Sequence, residues 1–153
     1  RTLEAMTVLA RSIAAREVRR EYLALVHGEV PAVPFEIDAP IGRDPVSRIR
    51  MAVVSGGRPS RTGVTRIGFD GAVSAVRCRL HTGRTHQIRL HLWHLGYSIV
   101  GDPTYLAGRV VGQKQTVDTD APPMCLHASK LSFLHPVSNE RISFQAPDPE
   151  WVK

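Results

Sequence analysis

The chain has 153 residues, which fits one domain and allows a substantial buried core. Its 20 basic residues outnumber its 14 acidic ones, giving a net charge of +6, and 17 of the basic residues are arginines. This balance favours a polyanionic partner, with nucleic acid ahead of an acidic membrane. No apolar stretch is long enough to span a bilayer, and Cys78 and Cys125 have neither CxxC nor zinc spacing. We therefore expect a protein of a reduced, cytoplasmic setting without a disulfide framework.

Local patterns predict two helices and several short strands. Apolar residues at helical spacing behind Thr2, a suitable N-cap, predict a helix over 3–16, and a second helix is predicted over 85–95 with Gly96 as its C-cap. Asp70-Gly71 and Ser138-Asn139 are hairpin turn signals. Together these elements predict an α+β domain whose mostly antiparallel sheet is flanked by helices. The predicted strands are 17–27, 35–37, 49–55, 61–69, 72–81, 126–134 and 141–146, with loops at 42–50 and 107–123.

The segment Gly83–Leu92 carries the strongest functional signal. It places Arg84, His86, Arg89 and His91 within eight positions at the start of the second predicted helix. Backbone N–H groups at a helix start are free to meet an anion, and the guanidinium fork suits either phosphate or carboxylate. The segment therefore predicts an anion-facing site without deciding which anion it meets.

A second signal is a dense run of arginines in the first half of the chain. Asp44 is the only acidic residue within this run. The run is either a solvated charged face or an RNA-facing hairpin that grips phosphates, and the second interpretation makes binding depend on salt. The run consists of Arg43, Arg48, Arg50, Arg58, Arg61 and Arg66, and we expect Arg16, Arg19 and Arg20 to extend it.

Two other features have alternative interpretations. His86, His91 and His94 raise the possibility of a catalytic metal, but the first two rings point about 140° apart on an ideal helix, so hydrogen-bonding histidines are favoured. Asp102 lies in the sequence Gly-Asp-Pro-Thr-Tyr at 101–105. It is either a catalytic carboxylate or a structural aspartate of a turn before proline, and the structural role is favoured.

Several separate stretches together resemble the rRNA/tRNA-type pseudouridine synthases, in particular their large-subunit ribosomal branch. The segment 20–28 resembles the family's strand with its active-site tyrosine, 40–53 its arginine-rich hairpin and 83–92 its third motif. The resemblance implies a pseudouridine synthase-like catalytic domain that isomerises uridine to pseudouridine in RNA without cofactor or metal. Ribosomal RNA is the first expected substrate, and tRNA remains open. Further matches lie at 101–105, 126–128 and 135–136.

The resemblance also implies residue roles. Tyr22 would stack on the flipped base and assist proton removal, and Arg89 would pair with a catalytic aspartate and hold it ionised. Leu131 would line the base pocket, with Arg84 and His86 also binding substrate. The RNA-binding set would be Arg43, Arg48, Arg50, Arg58 and Arg61, within a basic hairpin over 42–66.

One motif of the family is missing. The His-Arg-Leu-Asp segment that carries the family's catalytic aspartate does not occur in the sequence and is expected upstream of Arg1. We therefore expect residues 1–153 to be a single partial catalytic domain that is inactive alone. A non-catalytic RNA-binding module is the alternative, a metal-dependent hydrolase is a more distant one, and the oligomeric state stays open.

Overall fold

A computed structural model describes residues 2–15, 17–47, 50–114 and 120–152. Arg16 and Arg48, two arginines singled out above, lie outside these ranges. The helices are α1 (Leu3–Ala14) and α2 (Gln87–His94), and a 3₁₀ turn covers Ala107–Arg109. The strands are β1 (Arg19–His27), β2 (Phe35–Asp38), β3 (Ile41–Arg43), β4 (Met51–Val53), β5 (Arg61–Phe69), β6 (Val73–Leu80), β7 (Tyr105–Leu106), β8 (Val110–Val111), β9 (Leu126–Leu134) and β10 (Arg141–Gln145).

The centre of the fold is a six-stranded sheet in the order β10-β9-β1-β6-β5-β2, with antiparallel pairing throughout. At the β5–β6 turn, the Asp70 side chain accepts hydrogen bonds from Ala72 N at 2.9 Å and Val73 N at 2.8 Å, while Gly71 adopts φ 100°. This arrangement is the turn chemistry that the Asp-Gly pair predicts. The α+β prediction with a mostly antiparallel sheet is confirmed.

Helix α2 covers one side of this sheet, which we call the helix side; the other is the open side. Ile88 and Leu92 of α2 belong to the main core together with Val26, Val76 and Cys78 from the sheet. Burying these side chains supplies most of the hydrophobic stabilisation of the sheet. Because side chains alternate along a strand, Arg77 and its like-facing neighbours point to the open side.

A smaller core joins α2 to the β3–β4 hairpin. Leu90 of α2 is buried against Ile41 of β3 and Tyr105 of β7, with Met51 and Trp93 packed around them. The hairpin is therefore fixed to the helix rather than extending freely from the sheet. The sequence prediction of one basic hairpin over 42–66 is wrong in its extent, because Arg61 and Arg66 lie in β5 of the main sheet.

Helix α1 begins as predicted, since the Thr2 side chain accepts a hydrogen bond from Ala5 N at 3.2 Å. Its apolar face is nevertheless solvent-exposed, with relative exposures of 80% for Leu3, 65% for Met6 and 51% for Ile13. The helical spacing thus predicted the helix correctly, but the described residues provide no core against which its apolar face could pack.

None of the helices within the described ranges combines the length and the apolar composition that a membrane span needs.

The turn after β4 brings the chain back onto β3. Arg58 N donates to Ile41 O at 2.8 Å, and Ile41 N donates to Arg58 O at 3.0 Å. This close approach depends on Gly57, where an added Cβ would lie 2.6 Å from the carbonyl carbon of Ile41 and 2.9 Å from Gly42 N. Because both neighbours are backbone atoms, they cannot move aside without opening the hairpin.

Gly57→Ala is therefore expected to destabilise the protein by about 1–3 kcal/mol, the usual cost of overpacking. Gly56→Ala is the matched control, because no atom lies within 4 Å of a Cβ at that position. The control is expected to be neutral or stabilising by up to about 1 kcal/mol, because alanine restricts the unfolded chain. Urea unfolding measures both, and equal effects of the two substitutions would contradict the close packing at Gly57.

Candidate functional site

The loop that leads into α2 is held by Gln87, whose side chain is buried. Its carbonyl oxygen accepts hydrogen bonds from Thr82 Oγ1 at 2.8 Å and Arg84 N at 3.0 Å. Its amide nitrogen donates to Arg61 O at 3.0 Å and Thr62 Oγ1 at 2.9 Å. The side-chain amide is thus fully used, and it fixes the backbone from which Arg84 projects.

His86 joins this loop to the helix in an uncommon conformation. Its backbone is left-handed, with φ 56° and ψ 21°, which is uncommon for a residue other than glycine. Its Nδ1 lies 3.4 Å from the hydroxyl of Tyr105, and that hydroxyl donates to Met51 O at 3.2 Å. Burial and the nearby Arg89 guanidinium lower the pKa of His86, which favours a neutral ring at neutral pH. His86 therefore links the start of α2 to the β3–β4 hairpin through Tyr105.

Arg89 forms a buried ion pair with Asp102. Its Nε donates to Oδ2 and its Nη2 donates to Oδ1, both at 2.7 Å, and Nη2 also donates to Thr104 Oγ1 at 3.0 Å. The side chains of Arg89 and Asp102 are only 9% and 0% exposed. The guanidinium carbon lies 5.2 Å from the centre of the Tyr105 ring, which adds a cation–π contact.

Asp102 also organises its own turn. Oδ1 accepts hydrogen bonds from Thr104 N at 2.8 Å and Tyr105 N at 3.0 Å. The structural interpretation of this aspartate is therefore confirmed, but its ion pair with Arg89 was not predicted. A carboxylate that is fully buried and accepts four hydrogen bonds has no face open to a substrate.

Arg89 has a carboxylate partner that the sequence did not predict. The sequence led us to expect that Arg89 meets a carboxylate outside the chain, whereas the structure pairs it with Asp102 inside the chain. The pairing uses Nε and Nη2, and Nη1 makes no hydrogen bond to any residue within the described ranges. The catalytic role assigned to Arg89 by resemblance stays a prediction.

The β3–β4 hairpin and the loop before α2 enclose a cavity of about 630 Å³, which we call the arginine cavity. The structure thus brings Arg84 together with three arginines of the hairpin region that are 26 to 41 positions earlier in the chain. Arg61 does not join them, because it pairs with Glu36 on the open side at 2.7 Å. The cavity is lined by Ile41, Gly42, Arg43, Arg50, Met51, Gly56, Gly57, Arg58, Gly83, Arg84 and Thr85.

Tyr22 and Leu131 lie on the helix side of the sheet. Tyr22 is half-buried and packs against the main core, whereas Leu131 is 39% exposed. Arg20 connects this region to the arginine cavity: it lies opposite Leu131 in the strand register, and an added Cβ on Gly83 would be 2.6 Å from its Nη1. Sequence reasoning named Arg20 only as an extension of the arginine run, since nothing local indicates this contact.

The histidines of α2 do not converge. His91 is buried, and both of its ring nitrogens are engaged, with Thr62 Oγ1 at 2.9 Å and Ala39 O at 3.0 Å. His91 therefore serves the packing of α2 against the sheet, as the hydrogen-bonding interpretation predicted. The part of the chain that the structure describes contains no group of three His, Cys, Asp or Glu side chains placed to hold a metal ion.

Asp102→Ala is expected to lower the free energy of unfolding by about 3–5 kcal/mol, because it leaves the Arg89 charge buried without a partner. The matched control is Asp148→Ala at an exposed carboxylate. That substitution is expected to change stability by less than about 0.5 kcal/mol. Urea unfolding of both variants checks this. Comparable losses in the free energy of unfolding would mean that the buried ion pair stabilises the protein no more than an exposed carboxylate does.

Stability is also expected to fall between about pH 7.5 and about pH 5.5. Burial lowers the pKa values of both His86 and His91 below the ordinary 6.5. The unfolded chain therefore binds more protons as the pH drops through 6.5, and acidification favours unfolding. His91→Gln should reduce this loss, because it removes one of the two rings that gain a proton more readily in the unfolded chain. Urea unfolding at the two pH values measures it, and a flat profile for the unchanged chain would exclude buried neutral rings.

Comparison with known proteins gives consistent matches over nearly the whole chain. A family model described as RNA pseudouridylate synthase matches residues 1–94. The ribosomal large subunit pseudouridine synthase D of Nitrosomonas europaea is 42% identical over 152 residues, which are 98% of this chain and 43% of that protein. The protein of the same name from Xanthomonas campestris is 45% identical over 156 residues, which are 98% of this chain and 46% of that protein.

Two solved structures of pseudouridylate synthase domains superpose on this chain. Human RNA pseudouridylate synthase domain containing 1 superposes with a TM-score of 0.77 at 31% identity, covering 97% of this chain and 62% of that one. Human RNA pseudouridylate synthase domain containing 4 has a TM-score of 0.73 at 18% identity and supports the fold alone. The chain spans less than half the length of the two bacterial relatives it matches.

Proposed function

Because the chain belongs to the RNA pseudouridylate synthase family, we propose that it forms the C-terminal part of a catalytic domain that isomerises uridine to pseudouridine in structured RNA. We further propose ribosomal RNA as the substrate, because relatives are named for the large ribosomal subunit. The observation that carries the proposal is the arginine cavity, which opens beside the loop leading to Arg89. A cytoplasmic setting and a role in ribosomal RNA processing belong to the same proposal.

The RNA-binding part of the proposal rests on charge and position. Arg43, Arg50 and Arg58 line one wall of the cavity, and Arg84 lines the other. Arginine suits phosphate recognition because its planar fork offers several donors in a fixed geometry. Arg61 is assigned a weaker role than the sequence suggested, since Glu36 already neutralises it.

The chemical part of the proposal assigns roles to Arg89 and Tyr22. In this isomerisation the N1–C1′ glycosidic bond breaks, the base rotates, a C5–C1′ bond forms, and the C5 proton leaves while N1 gains one. An aspartate from a segment that precedes this chain would act as nucleophile. The Nη1 of Arg89, which the bonds to Asp102 and Thr104 do not use, would donate to that carboxylate and lower its pKa. Tyr22 would stack on the base and assist removal of the C5 proton, with Leu131 as the pocket wall.

A non-catalytic RNA-binding module remains a second candidate for the isolated chain. It is supported by the arginine cavity alone, whose four lining arginines suit RNA binding without any chemistry. Asp102 does not substitute for the missing nucleophile, because its oxygens are fully buried and engaged. Both candidates share RNA binding and differ in turnover.

Tritium release from RNA labelled at C5 of uridine separates the two candidates. The chain alone is expected to release none, whereas the chain joined behind the upstream half of the Nitrosomonas europaea relative is expected to turn over. In that joined protein, Arg89→Lys should reduce turnover by at least about a hundredfold with little change in RNA affinity, because lysine keeps the charge but loses the fork. Arg77→Ala on the open side is the matched control and should retain activity.

Two results would overturn this assignment. Turnover by the chain alone would remove the need for an upstream aspartate. A joined protein that binds RNA and carries both halves, yet shows no tritium release in its unchanged form, would favour the RNA-binding module. Circular dichroism of each variant ensures that lost activity is not lost folding.

A further inference from the structure

We propose that the arginine cavity binds one phosphodiester group of the RNA backbone, held jointly by Arg50 and Arg58 from the hairpin region and Arg84 from the loop before α2. The inference deepens the proposed function and rests on RNA being the ligand. It is more specific than binding to a basic surface, because it requires two separate segments of the chain to contact the same phosphate.

The first support is the positive charge of the residues that line the cavity. Four of the eleven lining residues are arginines, and none carries a carboxylate. The nearest acidic partner is Asp44, which pairs with Arg50 at 3.1 Å. Asp44 is itself tied to the hairpin by hydrogen bonds from Val46 N at 2.8 Å and Ser47 N at 3.2 Å. One carboxylate thus serves to orient Arg50, and none of the ion pairs among the described residues neutralises Arg58 or Arg84.

The second support is a set of buried donors without acceptors. The Nε atoms of Arg50 and Arg84 are hidden from solvent and have no hydrogen-bond partner in the described structure. The Nε of Arg20, whose guanidinium lies against Gly83 at the edge of the cavity, is in the same condition. A buried donor without an acceptor costs about 1–3 kcal/mol, so such groups in native proteins call for an explanation. Rotation of these arginine side chains toward a phosphate in the cavity would give their Nε groups the acceptors that they lack.

The third support is that both walls are already fixed in place. Gln87 holds the Arg84 backbone, and the contact of Gly57 with Ile41 holds the hairpin turn. Because the backbone of both walls is already in place, binding does not have to order these two segments of the chain, which favours affinity. The exposed Arg43 and Arg58 continue the positive surface beyond the cavity rim. We therefore assign the site to an internal phosphate of a continuing RNA strand rather than to a free nucleotide.

The experiment uses the 153-residue chain and fluorescence anisotropy of a short labelled RNA stem–loop at several salt concentrations. Arg58→Ala and Arg84→Ala should each weaken binding by about tenfold and reduce the slope of log K against log salt by about one. The double variant should lose clearly less than the product of the two single losses, because both arginines serve the same phosphate. Arg77→Ala, an exposed arginine on the open side, is the matched control and should bind like the unchanged chain.

A second measurement uses the unchanged chain, so a loss of folding in the variants does not affect its result. In the unchanged chain, the Nε–H resonances of Arg50 and Arg84 should shift when the RNA is added, as the buried donors gain acceptors. They should shift much less with uridine 5′-monophosphate at the same concentration. Equal shifts with the mononucleotide would overturn the assignment to an internal phosphodiester.

The remaining outcomes separate this inference from the proposed function. If RNA binds tightly but both single variants match the control, or if their effects multiply in the double variant, the shared-phosphate site is wrong and the proposed function stands. If the chain binds no RNA while inorganic phosphate shifts the two Nε–H signals, the cavity takes an anion other than RNA, and this inference fails. If neither binds, the inference fails, and the proposed function loses its RNA-binding support while its turnover test remains separate.

Discussion

The buried ion pair between Arg89 and Asp102 ties together the parts of the molecule that form the candidate site. Arg89 belongs to α2, and Asp102 belongs to the turn that leads to Tyr105. The desolvation cost of burying two charges is offset only when their hydrogen bonds are satisfied. Here Thr104 Oγ1 accepts a hydrogen bond from the guanidinium, and the backbone N–H groups of Thr104 and Tyr105 donate to the carboxylate. Tyr105, positioned by Asp102, then bonds the hairpin through Met51 O. One interaction thus fixes a helix, a turn and a hairpin relative to one another.

This arrangement divides the work of the site between two groups of arginines. Arg89 is held by Asp102, packs against Tyr105 and uses only Nε and Nη2 in its hydrogen bonds to the described residues, which suits a group that must orient a reacting carboxylate through Nη1. The cavity gathers four arginines and no carboxylate in its lining, and Asp44 pairs with one of them, Arg50; this arrangement suits a group that must bind a polyanion. The two groups are joined by the loop 83–86, so RNA bound in the cavity would lie next to the start of α2.

Features encoded by neighbouring residues were predictable from the sequence. The strands predicted over 61–69 and 126–134 have the observed boundaries of β5 and β9, and Thr2 predicted the start of α1. These predictions succeed because the pattern and the structure it dictates lie within a few residues of each other.

Features that depend on distant contacts were not predictable. The partner of Arg89 lies thirteen residues away across a turn, and the sequence shows Asp102 only as an aspartate before proline. The supposed hairpin over 42–66 is divided because Gly57 allows the chain to return to Ile41, a contact that turn composition does not reveal. The apolar spacing of α1 identified a face correctly, but amphipathic spacing does not say what covers that face.

Hydrogen exchange of the Asp102→Asn variant tests the central claim most directly, because the substitution keeps the side-chain shape and removes the charge that pairs with Arg89. We expect faster exchange at the amides of Thr104 and Tyr105 and also at those of the β3–β4 hairpin, which Tyr105 and Leu90 hold to α2. The amides of β9 and β10 should keep their protection. If the hairpin exchanges as slowly in the variant as in the unchanged chain, the ion pair does not organise the site and the account is wrong.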